Sequence, residues 1–137
     1  MTYGHLELGR DGEDHAARLL ALLGLAVVER NYRCRLGEVD LICRQGDTVV
    51  FVEVKTRREG SLAAGTDAVN RGKQLRIIRA ASEYLSAHGM WDKPCRFDVV
   101  SVVSNNGRLV AEHLPDAFQA EFSSGKGGGG GRGWQPW

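Results

Sequence analysis

Cysteine is scarce in this chain of 137 residues, and its scarcity argues against two classes of small protein. The three cysteines, Cys34, Cys43 and Cys95, are widely spaced and form no C-x-x-C pair. Disulfide frameworks and structural zinc sites need more numerous or more closely spaced cysteines. We therefore expect free thiols and a reducing, cytoplasmic location.

The chain also lacks a long apolar run and a leader-like beginning. Its longest apolar run, residues 19–28, has ten residues, whereas a membrane-spanning helix needs ~20. The first residues, MTYGHLELGRDGEDHA, contain no basic segment leading into an apolar one, which is the pattern of a secretory signal. These absences predict a soluble protein without a membrane partner.

Net charge is small, at +1, so composition alone gives no argument for a nucleic-acid partner. Its distribution is uneven, because residues 30–79 contain eleven Lys or Arg against six Asp or Glu. An excess of positive charge in one third of the chain favours contact with phosphates. A solvated surface of mixed charge explains the same pattern about equally well.

The length and the 42% hydrophobic content predict one compact domain, residues 1–122. Residues 123–137, SSGKGGGGGRGWQPW, contain seven glycines and are expected to form a disordered tail. Periodicity and turn residues predict the element order αβββαββ, a mixed α/β fold. The elements are helices over residues 9–24 and 66–88, and strands over residues 25–34, 37–45, 48–56, 95–103 and 108–114, with a loop over residues 60–65.

The second and third strands form a hairpin around Gly46-Asp47, a pair that suits a type II′ turn. A two-residue turn makes the numbers of opposed residues sum to 93, so Asp40 faces Glu53. Like charges opposed at roughly 4.5–5.5 Å between Cβ atoms destabilise a sheet, so a compensating cation is expected. Alternation places Lys55 on the same face as Glu53.

This arrangement suits a divalent-metal nuclease. Mg²⁺, or Mn²⁺, is commonly held by one or two carboxylates, water and substrate phosphate, and a metal so held can assist phosphodiester hydrolysis. Asp40 and Glu53 are the candidate metal ligands, with the main-chain carbonyl of Val54 as a third ligand. Lys55 is expected to orient the attacking water. Glu13 on the first helix is expected to be the fourth catalytic residue, beside Asp40, Glu53 and Lys55. The alternative is that the carboxylates are solvated on an open sheet face, with Lys55 paired to Glu38.

Several short motifs together resemble the YraN family of small bacterial proteins, over about residues 8–119. They are G-x-x-x-E-x-x-A (9–16), N-Y-R (31–33), G-E-V-D-L-I (37–42), V-F-V-E-V-K-T-R (50–57), Lys73 and R-F-D-V-V (96–100). The family is similar to archaeal Holliday-junction resolvases among the restriction-endonuclease-like nucleases. The resemblance implies a restriction-endonuclease-like αβββαβ core, a Mg²⁺-dependent nuclease ancestry and a dimer that grips branched DNA, although the sequence itself leaves dimerisation open.

Other charged residues are assigned supporting roles. Arg57, Lys73 and Arg76 are predicted to contact the phosphates of a nucleic acid, although a solvated helix face also explains the last two. An internal ion pair is favoured over catalysis for Arg96 and Asp98. His15 and His113 lack recognisable partners and are expected at the surface.

The sequence is consistent with three alternative functions. The first is a cytoplasmic endonuclease that cuts DNA, including branched DNA, with Mg²⁺ or Mn²⁺. The second is a nucleic-acid-binding protein of nuclease fold without significant turnover. The third is an interaction adaptor in which the carboxylates are structural. Nucleic-acid binding at low salt, where phosphate contacts are strongest, separates the third from the other two.

Overall fold

A five-stranded sheet with one helix on each face forms the protein in the computed structural model, which describes residues 5–58 and 69–120. The elements are α1 (His5–Leu22), β1 (Ala26–Cys34), β2 (Gly37–Gln45), β3 (Thr48–Arg58), α2 (Arg71–Ala87), β4 (Cys95–Asn105) and β5 (Arg108–Phe118). The predicted mixed α/β class and the predicted order of elements are confirmed.

The strands lie in the order β1-β2-β3-β4-β5, and each is hydrogen-bonded to its neighbours in sequence. Only β3 and β4 are parallel, and the other three pairs are antiparallel. Parallel neighbours need a long crossover connection, and α2 lies within this one. The sheet centre is therefore a β2-β3 hairpin beside a β3-β4 crossover.

Turn chemistry fixes the registers of the β2-β3 and β4-β5 hairpins. Pairing runs from Gln45–Thr48 to Leu41–Val52, so the predicted sum of 93 is confirmed over this range. Gly46 has φ 60° while Asp47 does not have positive φ, as a type II′ turn requires. In the β4-β5 turn both Asn106 and Gly107 have positive φ, the type I′ pattern.

Each helix buries its own apolar cluster against the sheet. α1 packs on one face over β1, β3, β4 and β5, whereas α2 packs on the other face over β1, β2 and β3. The α1 cluster contains Ala16, Leu20, Leu25, Leu41, Cys43, Val50, Val52, Val100 and Val102. The α2 cluster includes Val39, Ile42, Val49, Phe51, Ile77, Ile78, Tyr84, Leu85, Phe97 and Val99.

Some helical predictions were wrong in detail. Within α2, Leu75 is 40% exposed, whereas Ile77 is buried. Residues 69 and 70 are not helical and α2 starts at Arg71, because the side chain of Asn70 caps the helix by accepting a hydrogen bond from the Lys73 N–H. Leu23 lies beyond the end of α1 and is 49% exposed.

Some predictions lie outside the described residues, namely the loop over residues 60–65, the helical residues 66–68 and the tail 123–137. In the described part of the chain, Cys34, Cys43 and Cys95 form no disulfide bond. No helix in the described ranges 5–58 and 69–120 is both long and apolar enough to cross a membrane.

Candidate active site

Asp40 lies where the regular alternation of β2 breaks. Its neighbours on either side pack on opposite faces of the sheet, Val39 in the α2 cluster and Leu41 in the α1 cluster. In an unbroken strand, residues two apart share a face. Asn31, the residue of β1 that the register brings opposite Asp40, has φ 54°, so both strands are irregular at this position.

The irregularity turns the carboxylate of Asp40 toward β3. Its Oδ2 accepts a hydrogen bond from the Val54 N–H at 2.8 Å, one residue beyond Glu53. Burial, followed by the negative charge of Glu53, raises the pKa of Asp40 to about 7, even though the Val54 N–H acts to lower it. Glu13 contributes a smaller increase in the same pKa. Asp40 therefore lies within electrostatic reach of both other carboxylates of the predicted site.

Glu53 is the buried carboxylate of the pair. It occupies the face of β3 that carries Val49 and Phe51, and it is only 4% exposed. Its Oε2 lies 2.6 Å from the Nζ of Lys73, which approaches from the start of α2. A buried carboxylate needs a partner of opposite charge, and Lys73 supplies one.

The backbone around Lys73 is held by the Asn70 cap, while its side chain is half exposed. Burial acts to lower the pKa of Lys73, but the hydrogen bond to Glu53 and the negative charges of Glu53, Asp40 and Glu38 outweigh it, so this pKa is raised. Lys73 is one of the residues predicted to contact the phosphates of a nucleic acid. In the structure its ammonium lies against Glu53 of the carboxylate pair.

Glu13 approaches from the opposite face of the sheet, on α1. Its Oε1 accepts hydrogen bonds from Arg30 at 3.0 Å and from the side chain of Asn31 at 3.0 Å. Arg30 also bonds Asp14 at 2.6 Å, which ties β1 to α1 at two carboxylates. The predicted fourth residue is thus held near Asp40 by neighbours that the motif analysis did not assign to it.

Two glycines allow the helices to come this close. A Cβ on Gly12 would overlap the side chain of Thr56 on β3, and a Cβ on Gly37 would overlap the backbone of Arg76 on α2. Gly12 precedes Glu13 directly, and Arg76 is one turn beyond Lys73. These contacts therefore position the helices that carry Glu13 and Lys73.

The remaining predicted residues surround this centre. Lys55 and Arg57 are half-buried on β3 and follow Glu53 on the same face by alternation. Val54 gives its N–H to Asp40. Glu38, which the alternative interpretation pairs with Lys55, lies 3.4 Å from Arg33 and 3.9 Å from Arg76. Arg76 is exposed on α2.

Among residues 5–58 and 69–120 there is no group of three or more His, Cys, Asp or Glu side chains arranged to hold a metal ion. The close carboxylates of this centre are two, Asp40 and Glu53, while Glu13 is bonded to Arg30 and Asn31. Two carboxylates are the usual protein contribution to a Mg²⁺ site that also takes water and substrate oxygens.

A second buried charge, Asp98 on β4, has a different environment. It is fully buried and accepts hydrogen bonds from Arg96, from the Asp116 N–H and, at 2.7 Å, from the ring of His113. The predicted internal ion pair is present. The assignment of His113 to the surface was wrong, because the β4-β5 pairing brings it against Asp98 and leaves its side chain only 13% exposed.

Comparison with known proteins identifies the family. Residues 12–102 match the family model described as "Uncharacterised protein family UPF0102". The chain belongs to this family. A UPF0102 protein of Nitratidesulfovibrio vulgaris strain DP4 is 46% identical over 129 residues, which cover 94% of each chain. UPF0102 proteins of Anaeromyxobacter dehalogenans and Moorella thermoacetica are 42% and 44% identical, covering 86% of this chain and 88% and 100% of their own.

The UPF0102 match spans the candidate site from Glu13 to Lys73 and confirms the YraN-like resemblance at the level of family. Arg30 and Asn31 were not predicted as partners of Glu13, because no spacing rule connects a helix residue with a strand residue 17 or 18 positions away. The Lys73–Glu53 ion pair was not predicted either. The only signal for it was a lysine near the start of a helix that follows the E-x-K strand.

Proposed function

We propose that this chain is a divalent-metal-dependent nuclease with a restriction-endonuclease-like core, related to archaeal resolvases, that hydrolyses phosphodiester bonds in DNA. One observation carries the proposal. Asp40, which is partly buried, and Glu53, which is buried, are held together so that burial and mutual repulsion raise the pKa of Asp40 to about 7. Proteins place like charges together in this way chiefly at functional sites.

The donor set fits a hard divalent cation. Mg²⁺ prefers carboxylate and carbonyl oxygens and keeps several waters, so two carboxylates with the main-chain oxygen of Val54 are sufficient protein ligands. A bound Mg²⁺ or Mn²⁺ supplies Lewis-acid polarisation of the phosphate and activation of water. The same double positive charge favours the ionised form of Asp40, against the burial and repulsion that disfavour it.

The chain's own residues then divide the remaining tasks. Lys55, two residues beyond Glu53, orients the attacking water and offsets charge on the phosphate. Glu13 adds negative charge from the α1 side, and Arg30 and Asn31 fix its carboxylate. Arg57, Lys73 and Arg76 bind backbone phosphates and so set the position of the DNA.

The test is cleavage of single-stranded, duplex, flap and four-way DNA with Mg²⁺, Mn²⁺ or EDTA. We expect cleavage with metal, none with EDTA, and a loss of at least about 100-fold in Glu53→Gln and Asp40→Asn, since each removes a charged ligand. Glu29→Gln is the matched control, because Glu29 is an exposed carboxylate on β1. Cleavage that survives Glu53→Gln would contradict the assignment.

A second candidate is a nucleic-acid-binding protein of the same fold without turnover. The Lys73–Glu53 ion pair favours it, because Lys73 already neutralises the buried carboxylate without a metal. In that case DNA binding at low salt is unaffected by EDTA, and no substrate is cut with either metal. Absence of binding at low salt would contradict both candidates.

A further inference from the structure

Two carboxylates and one ammonium meet where Asp40 of β2 lies beside Glu53 of β3. The Nζ of Lys73 lies 2.6 Å from Oε2 of Glu53. A divalent metal bound to Glu53 would contact the same carboxylate with which the ammonium of Lys73 forms its ion pair. In the absence of metal, Lys73 is therefore a close cation of this cluster.

An ammonium and a divalent metal repel each other when both lie within a few ångströms in a poorly solvated position. At 4 Å the repulsion between two unit charges is several-fold larger near a protein than in water, and a doubly charged ion doubles it. Glu53 is only 4% exposed, so solvent screens the two cations weakly. Simultaneous close contact of both cations with this carboxylate is unfavourable.

Lys73 also has a route away from the carboxylate. Its backbone is fixed at the capped start of α2 by the Asn70 side chain, whereas its side chain is 52% exposed. The flexible four-carbon stem can therefore move the ammonium into solvent while the helix stays in place. A phosphate beside the site would be a suitable new partner for it.

We propose that Lys73 is a resident cation of the Asp40–Glu53 pair that a divalent metal displaces, which releases its ammonium to bind a phosphate of the substrate. This inference rests on the metal-dependent function proposed above. Lys73 then has two alternating partners, Glu53 without metal and a substrate phosphate with metal. Its contact with the phosphate is complete only when the metal is bound. Lys73 is thus a positioning residue whose availability depends on the metal.

The first experiment is a titration with Mn²⁺ alone at pH 8, measured by the electron paramagnetic resonance of the free ion, for the wild type and Lys73→Met. We expect Lys73→Met to bind Mn²⁺ on the order of tenfold more tightly, because the competing charge is gone. Lys93→Met is the matched control, with the same charge change at a lysine that lies 4.0 Å from Asp47 in the β2-β3 turn. It should bind Mn²⁺ like the wild type.

The outcomes separate this inference from the proposed function. If the wild type binds Mn²⁺ and Lys73→Met binds it equally or more weakly, the resident-cation role is wrong while the metal site stands. If neither protein binds Mn²⁺, both proposals fail. Lys73→Gln, which keeps a hydrogen-bond donor without the charge, replaces Lys73→Met should the latter not fold.

A second measurement uses the wild type alone. Lysine amines are labelled with an acylating reagent, with and without Mg²⁺, and the modified residues are quantified by mass spectrometry. Labelling of Lys73 should rise several-fold with Mg²⁺ relative to Lys93, because an ammonium released from its contact with Glu53 is more accessible to the reagent. Equal labelling of Lys73 in both conditions would overturn the inference.

Discussion

The environment of Asp40 costs the folded protein stability at neutral pH. Its pKa is raised from the ordinary value of 3.8 to about 7, so the folded state binds a proton more tightly than the unfolded state. For a carboxyl with a raised pKa, stability falls as the pH rises from the unfolded to the folded value, here from about 4 to about 7. Metal-free protein is therefore expected to lose stability across this window.

Asp40→Asn should remove that loss. The amide oxygen can still accept the Val54 N–H, and no charge is buried, so we expect the variant to be more stable than the wild type by roughly 1–3 kcal/mol at pH 8 in EDTA. At pH 4 the difference should nearly vanish. Urea unfolding at both pH values measures it, with Asp47→Asn at the exposed turn as control. A variant less stable than the wild type at pH 8 would contradict the buried-charge account.

Asp98 differs from Asp40 because it is a buried carboxylate with a full set of hydrogen-bond donors. Arg96, His113 and the Asp116 N–H all bond it, so its negative charge is already compensated. We expect Asp98→Ala to destabilise the fold by about 3–5 kcal/mol, because it leaves the buried partners of an ion pair without a counter-charge. Denaturant unfolding measures the loss.

The same variant tests the division between structural and functional carboxylates. In the fraction that folds, Mn²⁺ affinity of Asp98→Ala should equal that of the wild type, since Asp98 is not one of the proposed ligands. His113→Gln is a milder companion, because it can retain a donor to Asp98. A large change in metal affinity in either variant would show that the Asp98 cluster contributes to the proposed metal site.

At the scale of elements, the position of α2 relative to β2 depends on Gly37. Gly37→Ala should destabilise the fold by about 1–3 kcal/mol, because its Cβ would overlap the backbone of Arg76, which cannot move without the helix. The shift should also loosen Lys73 from Glu53. Denaturant unfolding and amine labelling of Lys73 in EDTA measure the two effects.

Gly9→Ala is the control for that substitution. A Cβ on Gly9 meets no atom within 4 Å, and the residue lies inside α1. Alanine is favoured over glycine in a helix by up to about 1 kcal/mol, so this variant should be as stable as the wild type or slightly more stable. Equal losses in the two variants would show that the packing at Gly37 is not the cause.

The elements also show what sequence can predict here. The register of the β2-β3 hairpin was predicted because a two-residue turn leaves no freedom in the pairing, and Glu53 and Lys55 follow from it by alternation. The orientation of Asp40 was not predicted, because the irregularity opposite Asn31 breaks the alternation of β2. That irregularity depends on three strands at once. The Lys73–Glu53 pair was missed because it depends on where the crossover places α2.

At the scale of the molecule, the structure shows where the excess of basic residues within the range 30–79 lies. β1, β2, β3 and α2 contribute most of the described part of this range, and α2 packs over these three strands. The basic residues predicted to contact DNA, Arg57 and Arg76, therefore belong to the same half of the molecule as Glu53. Phosphate contacts made there should appear in the salt dependence of binding.

Each phosphate contact with duplex DNA contributes about −0.9 to the slope of log K against log salt. We expect Arg57→Gln and Arg76→Gln each to weaken duplex binding and to make this slope shallower by about 0.9, measured by fluorescence anisotropy in EDTA so that no DNA is cut. Lys93→Gln, near the β2-β3 turn, should leave the slope unchanged. A weaker affinity with an unchanged slope would place these arginines outside the phosphate contacts, because only the loss of a released counterion alters the slope.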